Sequence, residues 1–106
     1  MSEIEDKTAA LLATIWVKIR PLVEERFVTL DGAAASVAAN GSLSEDERKE
    51  AQSTAHKLAG SLGMYGYDEG TRVARELEGL LESRSPEAAR LSGLVAELRA
   101  SVFPPA

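Results

Sequence analysis

The chain of 106 residues has no cysteine, one histidine and few aromatic residues, which make up 5% of the sequence. Without cysteine it can form neither disulfide bridges nor thiolate metal sites, which is compatible with a reducing compartment. One histidine cannot build a zinc site alone. Because aromatic side chains are scarce, the core has to consist of leucine, valine, isoleucine and alanine.

Long apolar runs are also missing. No run approaches the roughly 20 residues that a membrane-spanning helix requires. The N-terminus is acidic, with Glu3, Glu5 and Asp6, where a secretory signal peptide would be basic. We therefore expect a cytoplasmic protein.

Basic residues are fewer than acidic ones, and the formal net charge is −5. An acidic surface repels the phosphate backbone of nucleic acids, and no basic stripe interleaved with aromatic residues is found. The same charge argues against binding to an anionic membrane.

What the chain does have is the size and composition of one globular domain, residues 1–106, with 44% hydrophobic and 27% charged residues. We expect its partner to be a protein.

The apolar residues recur at spacings of three and four, which is the periodicity of amphipathic helices, and no long alternation indicates a strand. Ser2 and Glu5 have the spacing of a capping box that begins a first helix. Pro21 should kink or break that helix, and a second helical run ends at Asn40–Gly41.

Three further helices follow from start and stop signals. Ser44–Glu47 has the pattern of another capping box, for a helix that runs to about Gly63. Asp68 is the predicted N-cap of the next helix, and Ser85–Pro86 predicts the start of the last one. Because the connections are short, we predict an all-α fold, an antiparallel up-and-down four-helix bundle with an additional or kinked N-terminal helix.

His56 is the residue around which chemistry is predicted, because the chain has no phosphate-binding loop, cysteine nucleophile or Glu-x-x-His metal pairing. At about 100° per residue, the apolar residues of its helix occupy an arc of roughly 60°, and His56 lies more than 100° from the centre of that arc. Those apolar residues are Ala51, Ala55, Leu58 and Leu62. His56 should therefore face water midway along a helix, without an acidic partner in its own turn.

Gly60 follows His56 by one helical turn on the same side. A glycine inside a helix costs about 1 kcal/mol relative to alanine, so its presence needs a reason. One reason is close packing between helices, and the other is clearance for a reactive group that another protein brings to the imidazole. Because Gly60 points away from the predicted core, we favour clearance.

The segment from Ala55 to Gly66, AHKLAGSLGMYG, resembles the A-H-x-L-x-G-S pattern of the histidine-containing phosphotransfer (HPt) family. The similarity continues through residues 72–78, and the helical layout is compatible over nearly the whole chain. The resemblance implies a phosphorelay intermediate. His56 would accept a phosphoryl group from an aspartate of a receiver domain, or from a hybrid sensor histidine kinase, and pass it to an aspartate of another response regulator.

The resemblance also implies roles for the neighbours of His56. Lys57 would help to neutralise the phosphoryl oxygens, and Gly60 would keep the approach open. Gln52 and Lys49, one and two turns earlier on the same side, are expected as further contacts to the phosphoryl group or the receiver. The receiver would supply Mg²⁺, so we expect a phosphoryl carrier without metal, cofactor, enzymatic activity or catalytic residues beyond His56. We also expect a monomer, because a bundle that buries its own apolar stripes has no need to dimerise.

Two alternatives stay open. The chain could be a helical interaction module in which His56 is never phosphorylated. It could also be the phosphoacceptor domain of a chemotaxis-type histidine kinase, which takes its phosphoryl group from ATP through a separate catalytic domain. Other side chains receive structural interpretations: Ser61 as a packing or helix-end residue, Trp16, Tyr65 and Tyr67 as core or core-edge residues, and the charges of residues 72–78 as a solvated helix face.

Overall fold

The structure is a computed structural model that describes residues 3–103, and the side chains of residues 7–103. It has four α-helices: α1, Glu3–Asn40; α2, Glu45–Met64; α3, Asp68–Leu80; and α4, Ala88–Val102. The predicted all-α fold is confirmed, whereas the capping box predicted at Ser2 and Glu5 lies outside the described residues. None of the described helices combines the length and apolar character that crossing a membrane requires.

The four helices form a ring around one core. α1 packs against α2 and α4, α2 packs against α3, and α3 packs against α4, while the backbones of the diagonal pairs do not approach closely within residues 3–103. Every helix contributes leucines with no exposed surface, among them Leu30, Leu58, Leu77 and Leu98. Burial of one such side chain stabilises a fold by roughly 1.5–3 kcal/mol, so this shared core holds the helices together.

The direction of α2 relative to α3 follows from their cross-contacts. Gln52 near the middle of α2 contacts Glu78 near the end of α3, and Ala59 further along α2 contacts Thr71 near the start of α3. Residue numbers therefore rise along one helix as they fall along the other, so this pair is antiparallel. For the remaining pairs the antiparallel order stays a prediction.

α1 continues without interruption through Pro21, so the proline does not separate an additional N-terminal helix. A kink at Pro21, the other form of the prediction, stays a prediction. Proline removes one backbone donor and leaves the carbonyl of Val17 without its helical partner. Val17 lies at the surface, 71% exposed, where water can hydrogen-bond to that carbonyl. Trp16 and Ile19 before the proline and Val23 after it pack on the same core, which keeps both halves in one helix.

The start of α2 agrees with its sequence signal. The backbone N–H of Glu47 donates to Ser44 Oγ at 3.1 Å, and the backbone N–H of Ser44 donates to the Glu47 carboxylate at 3.0 Å. The Ser36 hydroxyl also donates to this carboxylate, at 2.7 Å, which ties α2 to α1. α1 ends at Asn40, and Gly41 follows with φ of +78°, a conformation that favours glycine, so this stop signal is confirmed as well.

Two other helix starts differ from the prediction. Asp68 is the first residue of α3 rather than its N-cap, and Tyr67 takes the cap position without a side-chain hydrogen bond. α4 begins at Ala88 instead of Ser85–Pro86. Pro86 is buried, so the loop packs inward before the helix begins. In both places packing of the loop, and not side-chain capping, fixes the first helical residue.

An aromatic cluster closes the end of the bundle that contains the α2–α3 turn. The Trp16 ring lies 5.5, 5.0 and 6.3 Å from the ring centroids of Tyr65, Tyr67 and Phe103. The three residues that the sequence analysis assigned to the core or its edge, Trp16, Tyr65 and Tyr67, are all partly buried. The cluster therefore joins the N-terminal half of α1 to the end of α2.

A pair of hydrogen bonds closes the opposite end. The backbone N–H of Leu43, in the α1–α2 loop, donates to the carbonyl of Arg84 at 2.7 Å. Arg84 Nε in turn donates to the carbonyl of Leu43 at 3.0 Å, and Leu43 itself is buried. The two loops at this end are thus joined through main-chain groups, and α2 is held at both of its termini.

The capping carboxylate of Glu47 makes the stability of α2 dependent on pH. Hydrogen bonds from the Ser44 backbone and the Ser36 hydroxyl lower the pKa of Glu47 below its ordinary value of 4.5. A lowered pKa in the folded state means that the stabilisation is present above pH 4.5 and is lost as the pH falls through the folded value. We expect Glu47→Gln to be less stable than the unmodified protein at neutral pH, and this difference to shrink on acidification. Thermal unfolding at a series of pH values measures it.

Glu50→Gln provides the control, because Glu50 is an exposed acid of the same helix outside the capping box. It should leave the pH dependence of the unfolding temperature close to that of the unmodified protein. A stability difference for Glu47→Gln that stays constant down to strongly acidic pH would contradict the assignment.

Candidate functional site

His56 lies near the middle of α2 with 73% of its side chain exposed. The residues predicted to form the core face of this helix are buried: Ala51, Ala55, Leu58 and Leu62. His56 projects from the flank between this core face and the outer surface, so solvent or a partner can reach the ring. Because the helix is capped at its start and packed along one side, the position of the imidazole is fixed by regular backbone.

A carboxylate from the neighbouring helix contacts the ring. Glu78 Oε1 lies 2.8 Å from His56 Nδ1, and the Glu78 side chain is only 33% exposed. An ionised carboxylate is purely an acceptor, so this hydrogen bond requires the proton on Nδ1. The lone pair of a neutral imidazole then resides on Nε2. The contact therefore selects one tautomer of His56.

The interpretation of residue 78 as part of a solvated face was wrong. The acidic partner of His56 lies on another helix, whereas the sequence prediction considered only the turn that contains His56. Sequence spacing contained a usable signal. His56 and Glu78 are the same number of residues from Tyr67, in the turn between α2 and α3. In an antiparallel pair, residues equidistant from the turn come to lie opposite each other, which brings this acid to the histidine.

Gln52 is engaged within the bundle. Its amide Nε2 donates to the backbone carbonyl of Glu78 at 3.1 Å, and Arg48 Nη1 donates to the Gln52 amide oxygen at 3.0 Å. Arg48 Nη1 also donates to the carbonyl of Leu81 at 3.1 Å. These contacts hold α2 against the last turn of α3, next to the Glu78 side chain. A phosphoryl or receiver contact by Gln52 stays a prediction.

Lys57 and Lys49 are both exposed. Within residues 7–103 Lys57 makes no hydrogen bond or ion pair, so its ammonium group is available to an incoming anion. Lys57 is turned by about 100° from His56, away from the side that contacts α3. Lys49 lies two turns before the histidine and acts on Glu45 through charge alone. Their expected roles stay predictions.

Gly60 and Gly70 are both helical glycines, but their surroundings differ. Among the residues that the structure describes, a Cβ added at Gly60 would meet no neighbouring atom within 4 Å, whereas one added at Gly70 would lie 3.1 Å from both Leu62 Cδ1 and Ser101 Oγ. Close packing therefore accounts for glycine at position 70 and not at position 60. The packing explanation of Gly60 is excluded, and the space above this turn of α2 is open.

Ser61 is hydrogen-bonded to a side chain of another helix. Ser61 Oγ accepts a hydrogen bond from Arg26 Nη1 at 3.2 Å, which links α2 to α1 and agrees with a packing role. Among the described side chains, no three His, Asp or Glu residues converge in a way suited to one metal ion.

Comparison with known proteins gives one match. The family model described as the Hpt domain matches residues 22–102, which include His56 and its neighbours on α2 and α3. The match starts directly after Pro21 and ends with the last residue of α4. No curated protein and no solved structure matches the chain significantly.

The two glycines predict opposite responses to the same substitution. Gly60→Ala should raise the free energy of unfolding by about 1 kcal/mol, since alanine is the better helix former and its methyl group meets no neighbour. Gly70→Ala is the matched control, and there the methyl group presses on the buried Leu62 side chain, so the gain should be absent or reversed. Denaturant unfolding of both variants provides the measurement. Equal stabilisation of the two would show that the local space differs from this description.

Proposed function

The chain belongs to the Hpt domain family, and on that premise we propose that it is a phosphorelay intermediate that carries a phosphoryl group on His56. Hpt domains are phosphocarrier modules that interact with receiver domains and kinases of two-component systems. The observation that carries the proposal is an exposed histidine whose Nδ1 is hydrogen-bonded to Glu78. In this relay His56 accepts from a receiver-domain aspartate, including that of a hybrid sensor kinase, and donates to the aspartate of another response regulator.

Transfer of the phosphoryl group to His56 requires no proton to move. The Nε2 lone pair attacks phosphorus, the Nε2–P bond forms, and the bond between phosphorus and the aspartyl oxygen breaks, which releases the receiver's carboxylate. The proton on Nδ1 stays in place, so the imidazole ring becomes positively charged while the phosphoryl group keeps its two negative charges. The return step, to the next receiver, runs through the same bonds in reverse order.

Glu78 has two effects on this reaction. It holds the Nδ1–H tautomer and so keeps Nε2 nucleophilic, and its negative charge stabilises the positive ring that develops as the bond to phosphorus forms. A carboxylate that orients a histidine and stabilises its imidazolium is an established device in serine hydrolases. The proposal adds Glu78 to the site residues expected from the sequence, and it assigns Nε2 as the phosphorylated nitrogen.

Transfer also needs positive charge near the phosphoryl oxygens and access for the receiver, and these come from Lys57, Gly60 and the partner. Lys57 supplies a positive charge for the phosphoryl oxygens, and the open space above Gly60 admits the receiver's aspartate. The receiver would contribute Mg²⁺, which would offset the negative charge of the phosphoryl group during transfer. We therefore propose that the chain acts without a cofactor and without enzymatic activity of its own, and that it works as a monomer.

The test of this function is phosphoryl transfer from a labelled receiver. The purified chain is mixed with a receiver domain that carries ³²P on its aspartate in the presence of Mg²⁺. We expect the label to leave the receiver and appear on the chain, and we expect His56→Gln to take none. Label that persists in His56→Gln, or that never reaches the unmodified chain from any of a panel of receivers, contradicts the proposal.

A second arm separates the alternatives. Label that reaches His56 only from ATP through the catalytic domain of a chemotaxis-type kinase would identify a kinase phosphoacceptor domain instead of a relay intermediate. No label from either source would favour an interaction module. The acceptance of label from a receiver, with or without the kinase reaction, supports the relay.

The role of Glu78 is tested by removing its charge while keeping its shape. Glu78→Gln retains an oxygen that can accept from Nδ1–H, yet it cannot stabilise the positive ring. We expect transfer to His56 to slow about tenfold, the size of a charge-assisted hydrogen bond of roughly 1.5 kcal/mol at an exposed site. Rapid-quench measurement of the transfer rate gives this number.

Glu82→Gln is the matched control, because Glu82 is an exposed acid one turn beyond Glu78. It removes the same charge from the same side of the bundle without touching the imidazole. Equal rates for the Glu78→Gln and unmodified proteins, or equal slowing by the two variants, would mean that the carboxylate does not act on the ring.

A further inference from the structure

Arg75 differs from every other arginine of the chain in its hydrogen bonding. The others all donate to a carboxylate, a carbonyl or a hydroxyl: Arg20, Arg26, Arg48, Arg72, Arg84, Arg90 and Arg99. Among the described residues the exposed guanidinium of Arg75 has no hydrogen bond and no ion pair. In a chain with a net charge of −5, an unpaired arginine on an acid-rich helix is unexpected.

The position of Arg75 relates it to His56. It precedes Glu78 by three residues, so the two side chains lie about 60° apart on α3, one turn from each other. Across the antiparallel pair, the contacts of His56 with Glu78 and of Ala59 with Thr71 lie on either side of Arg75. Arg75 is thus level with the turn of α2 from His56 to Ala59, directly before Gly60.

The surface near Arg75 is open in two places. Arg75 lines an open groove with Gly63 and Thr71, and Gly60 offers no side chain on this flank. One helical turn rises by about 5.4 Å, which is within the reach of an arginine side chain. The exposed guanidinium, one turn from Glu78, can therefore extend over the surface of α3 to a group bound at Nε2 of His56.

The neighbouring charges leave Arg75 available for an anion. Glu78 is engaged with the imidazole. Glu69 and Glu76 bind Arg72, and Glu76 also binds Arg90. Asp68 is the remaining acid that lines the groove, and it lies two turns away from Arg75 at the start of α3. Since the nearby acids have other partners, the positive charge of Arg75 is not neutralised locally.

The chemistry of a phosphoryl group suits this residue. A phosphoryl group at neutral pH carries about 1.5 to 2 negative charges and has three acceptor oxygens. Guanidinium binds such oxygens in a bidentate manner, whereas the ammonium of lysine acts as a point charge. Lys57 lies on one side of His56, and Arg75 lies on the other, along α3.

We propose that Arg75 binds the phosphoryl oxygens on phosphorylated His56, from the side opposite Lys57. This inference rests on the proposed function, since it concerns the same phosphorylated histidine. It adds a phosphoryl-binding residue on α3 to those expected on α2. It also explains why an arginine stays unpaired in the unphosphorylated chain: its ligand arrives with the phosphoryl group.

The first test does not need a receiver. The chain is phosphorylated at histidine with phosphoramidate, and the protonation of the phosphoryl group is followed by ³¹P NMR as a function of pH. In Arg75→Gln the loss of the guanidinium should shift the midpoint of this protonation to higher pH than in the unmodified chain. The midpoint of Arg75→Lys should lie between those of Arg75→Gln and the unmodified chain. Lys18→Gln removes an exposed charge on α1 and should leave the midpoint unchanged.

The second test measures transfer from the labelled receiver. Arg75→Gln should slow transfer about tenfold, the effect of one lost charge-assisted hydrogen bond. Its thermal unfolding should match that of the unmodified chain, because Arg75 has no partner to lose. A midpoint unchanged by Arg75→Gln, or one that moves equally in Lys18→Gln, overturns the inference even when the unmodified chain accepts label normally. If the receiver transfers no label to the unmodified chain, the proposed function fails, and the ³¹P titration still decides the role of Arg75.

Discussion

The hydrogen bond between Nδ1 of His56 and the carboxylate of Glu78 joins the reactive ring to the contact between α2 and α3. Everything else that the site requires depends on how well these two helices are held in register. Gln52 anchors α2 to the backbone carbonyl of Glu78 itself, and Thr71 Oγ1 donates to the carbonyl of Ala59 one turn beyond the histidine. A shift of one residue along either helix would break all three contacts together. The tautomer of His56 is therefore set by helix register, which the buried leucines of both helices fix.

The rest of the bundle keeps α2 from moving. The capping box at Ser44 and Glu47 satisfies the backbone donors at its start, and the cluster around Trp16 covers its end. α2 is thus a rigid element, and a functional side chain on a rigid element is more accurately placed than one on a loop. Between these two ends the outer surface of α2 is bare at Gly60, which leaves room for a partner without weakening the packing.

Periodicity and capping patterns predicted the helical fold, the core face of α2 and the exposure of His56, because each depends on residues close together in sequence. The errors occurred where a distant contact decides the outcome. Pro21 does not end α1, because side chains before and after it pack on the same core and the freed carbonyl is at the surface. Burial of Pro86 moves the start of α4 to Ala88. The partnership of Glu78 with His56 depends on the register between two helices, which can be inferred from the sequence only once the turn at Tyr67 is placed.

The exposure of His56 and Glu78 limits how strongly the carboxylate stabilises phosphorylated His56. A relay intermediate both accepts and donates, so a phosphorylated state that is strongly stabilised would accept quickly and then retain its phosphoryl group. Glu78 stabilises the positive ring of phosphorylated His56, but the ring is 73% exposed and the carboxylate 33%. Because water and salt reach this pair, they screen the interaction and keep its strength modest. The ring carries more positive charge in phosphorylated His56 than in the transition state, so the carboxylate lowers the barrier to acceptance and raises the barrier to donation. A partly solvated acid thus speeds acceptance without trapping the phosphoryl group on the histidine, which a fully buried acid would favour.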